Sequence, residues 1–179
     1  MPTPLTPIAR ATISSPPDIT PFPPIVTKWV QFQGTKTGFS FLYPEGWSVE
    51  DTSGLNPSSD PGPRASILIY NYDKTKAYPR GGLPQGAMKI QLENYDFAIP
   101  SGGKPFAVGQ QQIPGIQSIR DRSSGAQLLP SEERSISIFF TVGNRLWLVG
   151  GLFTPPKDVA DKNTEIFYQI VGSLAYENK

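Results

Sequence analysis

The chain contains no cysteine and no histidine. Thiol catalysis, disulfide bonds, zinc fingers and haem attachment through cysteine are therefore excluded, and so is every imidazole mechanism, the Ser-His-Asp arrangement included. Histidine is the one side chain that titrates near neutrality without help. A general acid or base here must be a strongly displaced carboxylate or lysine. Long apolar runs are also missing: none approaches the ~18 residues of a membrane-spanning helix. The start, "MPTPLTPIAR", has no basic segment followed by an apolar one, so it does not read as a signal peptide. Excess charge of one sign is absent as well. Sixteen basic and fifteen acidic residues give a net charge of +1, with the basic residues scattered singly. Nucleic-acid binding, which needs a basic stripe against phosphates, is not expected. No glycine-rich loop leads into a helix to cradle a phosphate.

What the sequence does have is proline, concentrated at one end. Pro2, Pro4, Pro7, Pro16, Pro17, Pro21, Pro23 and Pro24 fall within residues 1–24, among Thr and Ser. Proline lacks a backbone donor and favours extended polyproline II segments. Residues 1–24 are expected to be a disordered, semi-rigid spacer, and residues 25–179 one α+β domain. "PFPP" lacks a flanking Arg or Lys, which argues against an SH3-type ligand. A spacer ahead of a single domain suggests tethering, with Met1 standing where a lipid-modified cysteine would lie in the full-length protein.

From Ile25 the apolar pattern takes period two, the mark of strands. "IVTKWVQFQ" is a first strand, with Val26, Lys28, Val30 and Phe32 on one side. "FSFLY" is a second, with Phe39, Phe41 and Tyr43 on one face. "PEG" turns the chain into "WSVED". Residues 52–64 and 76–86, rich in Gly and Pro, are loops. "ASILIYNY" is apolar on both sides, as in a central strand covered on both faces. "AMKIQLENY" places Met88, Ile90 and Leu92 inward and Lys89, Gln91 and Glu93 outward. Two short strands are expected at Phe106–Val108 and Gly115–Arg120, linked by 109–114. Gly143-Asn144 is the tight turn of a hairpin that sets Ile136, Ile138, Phe140 and Val142 against Leu146 and Leu148. One helix follows, capped by Thr154 and with Pro155 and Asp158 in its first turn. Val159, Ile166, Phe167, Ile170 and Val171 form its apolar stripe, and Gly172 ends it. "SLAYE" follows as a short closing strand or an extended tail. The fold class is α+β: an antiparallel sheet of about seven to nine strands with a C-terminal helix on one face.

The stretches "GFSFLYPEGW", "ISIFFTVGNRLWLVGGLF" and "FYQIVGSLAYE" resemble the PsbP-like group, the photosystem II extrinsic proteins and their bacterial relatives. The group's opening Gly-Phe…Pro-x-x-Trp motif falls on Gly38, Phe39, Pro44 and Trp47. The resemblance covers Trp29 to Glu177 and implies an antiparallel sheet flanked by helices, an extracytoplasmic location (periplasm, cell surface or thylakoid lumen) and action by binding other proteins. Metal sites of some relatives use histidine, which this chain lacks. The resemblance therefore points to a bacterial extracytoplasmic relative, a lipoprotein held at a membrane, rather than to a photosystem subunit.

The candidate chemistry is sparse. Ser101-Gly-Gly-Lys104 matches Ser-x-x-Lys, but two glycines in a Pro-flanked loop do not hold a dyad together. Glu132 and Glu133 are adjacent, so on a strand they diverge and on a loop they are solvated charges. Glu45, Glu50, Asp51 and Asp60 fit no calcium-loop spacing. No cofactor, metal or catalytic residue is expected. Trp29, Tyr43, Tyr70, Tyr72, Tyr78 and Tyr95 are read as packing residues. Contact with a partner is expected at the loops and the "PEG" tip, at Glu45, Gly46, Asp60, Tyr78 and Arg80. The reading is a non-enzymatic, extracytoplasmic binding or assembly-support domain with a protein partner. The alternatives are a sugar- or small-ligand-binding module and a hydrolase built on a perturbed carboxylate.

Overall fold

A computed structural model describes residues 28–53, 65–76, 82–94 and 98–177. The Pro-rich spacer, most of the 52–64 loop and part of the 76–86 loop lie outside these residues. Ten strands and one α-helix are described, in two sheets. The strands are β1 (Trp29–Gln33), β2 (Phe39–Pro44), β3 (Ser48–Asp51), β4 (Ser66–Tyr70) and β5 (Met88–Asn94), then β6 (Lys104–Val108), β7 (Ile113–Asp121), β8 (Arg134–Val142), β9 (Arg145–Phe153) and β10 (Ala175–Tyr176). The helix α1 is Lys157–Ser173. The class is α+β, as expected.

The single sheet expected is in fact two. The smaller has the order β1-β2-β10 and the larger β3-β4-β5-β9-β8-β7-β6, and every pairing is antiparallel. The chain crosses between them at Pro44-Glu45-Gly46. There the Trp47 amide donates to the Pro44 carbonyl at 3.2 Å and the Trp47 side chain enters the core. The larger sheet is two meanders joined edge to edge. β3-β4-β5 run in order; the chain then starts again at the far edge with β6 and works back until β9 pairs with β5.

One face of the large sheet carries the core. Ile67 and Ile69, Met88, Ile90 and Leu92, Ile136, Ile138 and Phe140, and Trp147, Val149 and Phe153 are all buried there. The helix and the small sheet cover them. Phe167 meets Phe153 edge-on at 5.7 Å, and Phe39 meets Trp147 edge-on at 4.7 Å. Side chains of this size contribute about 1.5–3 kcal/mol each on burial, so this layer dominates the fold's stability. Arg134 ties helix to sheet: its guanidinium donates to Thr164 Oγ1 at 3.0 Å and lies 3.0 Å from Asp161.

Several expectations need correction. β6 and β7 are longer than expected, and Pro114 lies within β7 rather than in a linking loop. β4 is covered fully on one face and in part on the other: Ile67 and Ile69 are buried under the helix side, while on the opposite face Tyr70 is buried and Leu68 is half-exposed. Leu146 and Leu148 do not oppose Ile136 and Ile138. The two-residue turn, with φ of 59° at Gly143 and 60° at Asn144, pairs Phe140 with Trp147 and Ile138 with Val149. Thr154 does not cap the helix. Pro156 holds the N-cap position without a side-chain bond, and the Thr154 hydroxyl instead accepts from the Ala87 amide at 2.7 Å. Gly172 does not end the helix either; it lies within it, and Leu174 follows as the C-cap in extended backbone.

Candidate functional site

Residues directly opposite in an antiparallel pair point to the same side of a sheet. The registers therefore fix what the large sheet presents on the face away from α1. One row reads Leu68, Gln91, Gly150, Ser137, Ser118 across β4, β5, β9, β8 and β7. The row on one side reads Tyr70, Lys89, Leu152, Ser135, Arg120, and the row on the other reads Ser66, Glu93, Leu148, Phe139, Ile116. This outer face mixes leucines, an isoleucine and two buried aromatics, Tyr70 and Phe139, with hydroxyls, an amide and charges. No α-helix among the described residues packs on it.

At its centre a side chain is missing. Gly150 leaves a hollow of about 110 Å³, bounded along β9 by Leu148 and Leu152, on β5 by Lys89, Gln91 and Glu93, and on β8 by Ser135 and Ser137. The Gln91 amide nitrogen donates to Glu93 Oε2 at 2.8 Å, so those two groups occupy each other. The Lys89 ammonium and the Ser135 and Ser137 hydroxyls have no hydrogen-bond partner among the described residues. At the β3 end of the face, the Tyr70 hydroxyl donates to Glu50 Oε1 at 2.5 Å. Lys74 donates to Glu50 Oε2 at 2.6 Å and stands 5.0 Å from the centre of the Tyr70 ring. The bonds from Lys74 and Tyr70 hold the Glu50 carboxyl below its ordinary range, and the bond to Glu50 raises the Tyr70 phenol.

The residues expected to meet a partner are not gathered here. Asp60, Tyr78 and Arg80 lie outside the described residues. Glu45 and Gly46 form the exposed tip between the two sheets, where Glu45 accepts from Lys28 at 2.7 Å and Gly46 takes a φ of 87°. Ser101 sits in an exposed turn and Lys104 opens β6, with no bond between their side chains. Glu132 and Glu133 are not the solvated charges expected of a loop. Glu132 is buried and accepts from the Leu129 amide at 3.3 Å, while Glu133 lies 3.6 Å from Arg122. Arg122 itself donates to the carbonyls of Glu132, Pro130 and Leu129, bracing this turn from within.

The carboxylates do not converge. Among the described residues no three acidic groups come close enough to hold a metal ion. Asp73, Asp121 and Asp161 are each held below the ordinary carboxylate range, by Thr75, Ser123 and Lys157 respectively. Of the aromatics, Tyr70 is buried, and Trp29, Tyr43 and Tyr72 are half-buried; Tyr78 and Tyr95 lie outside the described residues. The hollow has no motif of its own, being a missing side chain rather than an aromatic cluster or a loop. Its signal was present in "SISIFF", whose serines alternate with core residues, and in a Gly-Gly doublet inside a strand.

No family model matches the chain, and a search of curated proteins returns no match.

Proposed function

We propose that this domain is a non-enzymatic binding or assembly-support module that acts through protein–protein contacts outside the cytoplasm, held near a membrane through its Pro-rich N-terminal segment. The observation that carries the proposal is the outer face of the large sheet, where apolar and polar side chains alternate around a shallow hollow on the side away from α1. A face of this kind fits the mixed character of protein interfaces better than that of a catalytic cleft, which is deep and gathers perturbed groups. The electrostatics point the same way. Glu50, Asp73, Asp121 and Asp161 are all stabilised in their ionised form by donors or cations. A hydrolase without histidine needs the opposite, a carboxyl raised toward neutrality. The PsbP-like resemblance of the Gly38–Trp47 motif, the β8–β9 hairpin and the closing segment supports the extracytoplasmic, lipoprotein-like placement.

Site-specific photocrosslinking tests this reading. A photoreactive residue at Ser137, on the outer face, is expected to give a discrete crosslinked protein band in membrane-bearing cells. The same residue at Glu165, on the exposed side of α1, is expected to give none. Equal labelling from both positions, or from neither, overturns the proposal. Protease accessibility of the domain in intact and permeabilised cells tests the compartment separately.

A further inference from the structure

We infer that the hollow over Gly150 is a subsite for one apolar side chain of a protein partner, with an acidic group beside it that Lys89 receives. The inference rests on the protein-binding reading above and names the chemistry of the contact.

The argument begins with the Gly150-Gly151 doublet. The fold needs the second glycine: a Cβ on Gly151 would lie 2.8 Å from Phe153 Cζ and 2.9 Å from Phe167 Cδ2, both in the core. It does not need the first. A Cβ on Gly150 would meet nothing nearer than 4.0 Å, and its backbone is not in the left-handed region. A glycine inside a strand weakens it, by backbone entropy and by giving neighbours nothing to pack on. Among the described residues no contact offsets that loss at Gly150. The space it leaves serves a group from outside the chain.

Size and charge then define the group. A volume of about 110 Å³ is well below the roughly 300–1,000 Å³ of pockets that take cofactors or drug-sized ligands. It is somewhat below the ~150 Å³ cavity that accepts benzene. One side chain fits; a sugar chain does not. Leu148 and Leu152 lie two residues to either side of Gly150, about 7 Å away along the strand at ~3.4 Å per residue, so the ends of the hollow are apolar. Lys89 and Ser135 both pair with Leu152, from opposite sides. At that end neither the ammonium nor the hydroxyl has a partner among the described residues, whereas Glu93, at the Leu148 end, is already occupied by Gln91. The available charge is positive. The occupant is a segment with an aliphatic or aromatic side chain next to Asp or Glu.

The test uses the isotope-labelled full chain, followed by amide chemical shifts as N-acetyl-Leu-Asp amide is added. Saturable shifts at Gly150, Gly151 and Ser137 are expected at millimolar peptide. N-acetyl-Leu-Lys amide and N-acetyl-Ser-Asp amide are expected to bind several-fold more weakly. Lys89→Gln should weaken the Leu-Asp peptide about two- to five-fold, the range of one exposed ion pair, and erase the preference for Asp over Lys. Gly150→Val should abolish the shifts without lowering the melting temperature, since its side chain enters open space. Absence of shifts in the wild type, equal binding of all three peptides, or unchanged binding to either variant overturns the inference. Photocrosslinking from Ser137 that persists in Gly150→Val would leave the protein-binding reading standing and remove this one.

Discussion

The two neighbouring glycines of β9 give a sharp test of the packing. Replace each by alanine in turn. At Gly151 the new methyl would lie 2.8–2.9 Å from ring carbons of Phe153 and Phe167. Neither ring can withdraw cheaply, because both are fully buried and packed edge-on against each other at 5.7 Å. Overpacking of this kind costs about 1–3 kcal/mol. The loss of unfolded-chain freedom on replacing glycine returns about 0.4–1 kcal/mol. The net is a destabilisation of roughly 1–2 kcal/mol, or a fall in Tm of about 2–8 °C for a chain of this length. At Gly150 only the favourable part remains, because the nearest atoms are 4.0 Å away. A rise in Tm of about 1–4 °C is expected there. Calorimetry, with urea titrations to check that the m-value is unchanged, measures both. The reasoning is refuted if Gly151→Ala melts at or above the wild type, or if Gly150→Ala falls as far as Gly151→Ala.

Gly172 lies in the last turn of α1 with nothing within 4 Å of its would-be Cβ, so Gly172→Ala should stabilise by about 0.5–1 kcal/mol in thermal melts. Thr154→Val removes the hydroxyl that accepts from the Ala87 amide and donates to the Pro84 carbonyl at 2.7 Å; the buried partners left behind should cost about 1–3 kcal/mol in urea unfolding. Acid should weaken the fold through Asp121 and Asp161, whose carboxyls are held low, Asp121 first by the Ser123 hydroxyl and Asp161 first by Lys157. Below about pH 4 the unfolded chain binds the proton more readily than the folded one. The stability these carboxylates contribute is therefore complete above that pH and lost as pH falls through their folded values. Urea midpoints measured down the acid limb should fall less steeply for Asp161→Asn than for the wild type.

Much of this fold could be read from residue order, and the places where it could not share a cause. β5 was legible because Met88, Ile90 and Leu92 alternate with Lys89, Gln91 and Glu93, so only one face can be buried. β9 was not, because Leu146, Trp147, Leu148 and Val149 are apolar in succession and alternation is silent. Its phase is set by the hairpin. A two-residue turn at Gly143-Asn144 forces Val142 opposite Arg145, and counting outward puts Phe140 opposite Trp147 and Ser137 opposite Gly150. The turn is legible in the sequence and it sets the register, whereas hydrophobicity alone cannot assign the face of a continuous apolar run. The helix start failed for a different reason. Thr-Pro-Pro has the composition of a cap, but the Thr154 hydroxyl is drawn to the Pro84 and Ala87 backbone, a partner 67 residues away that no local rule can supply. The candidate site combines both difficulties. Lys89 and Ser135 are neighbours only through β9, and the hollow exists only because Gly150 faces outward while Gly151 faces the core. In "VGG" the two glycines are chemically identical, and their roles separate once the register assigns each to a face. That register makes the outward glycine between Gln91 and Ser137 the one position in the three rows with no side chain.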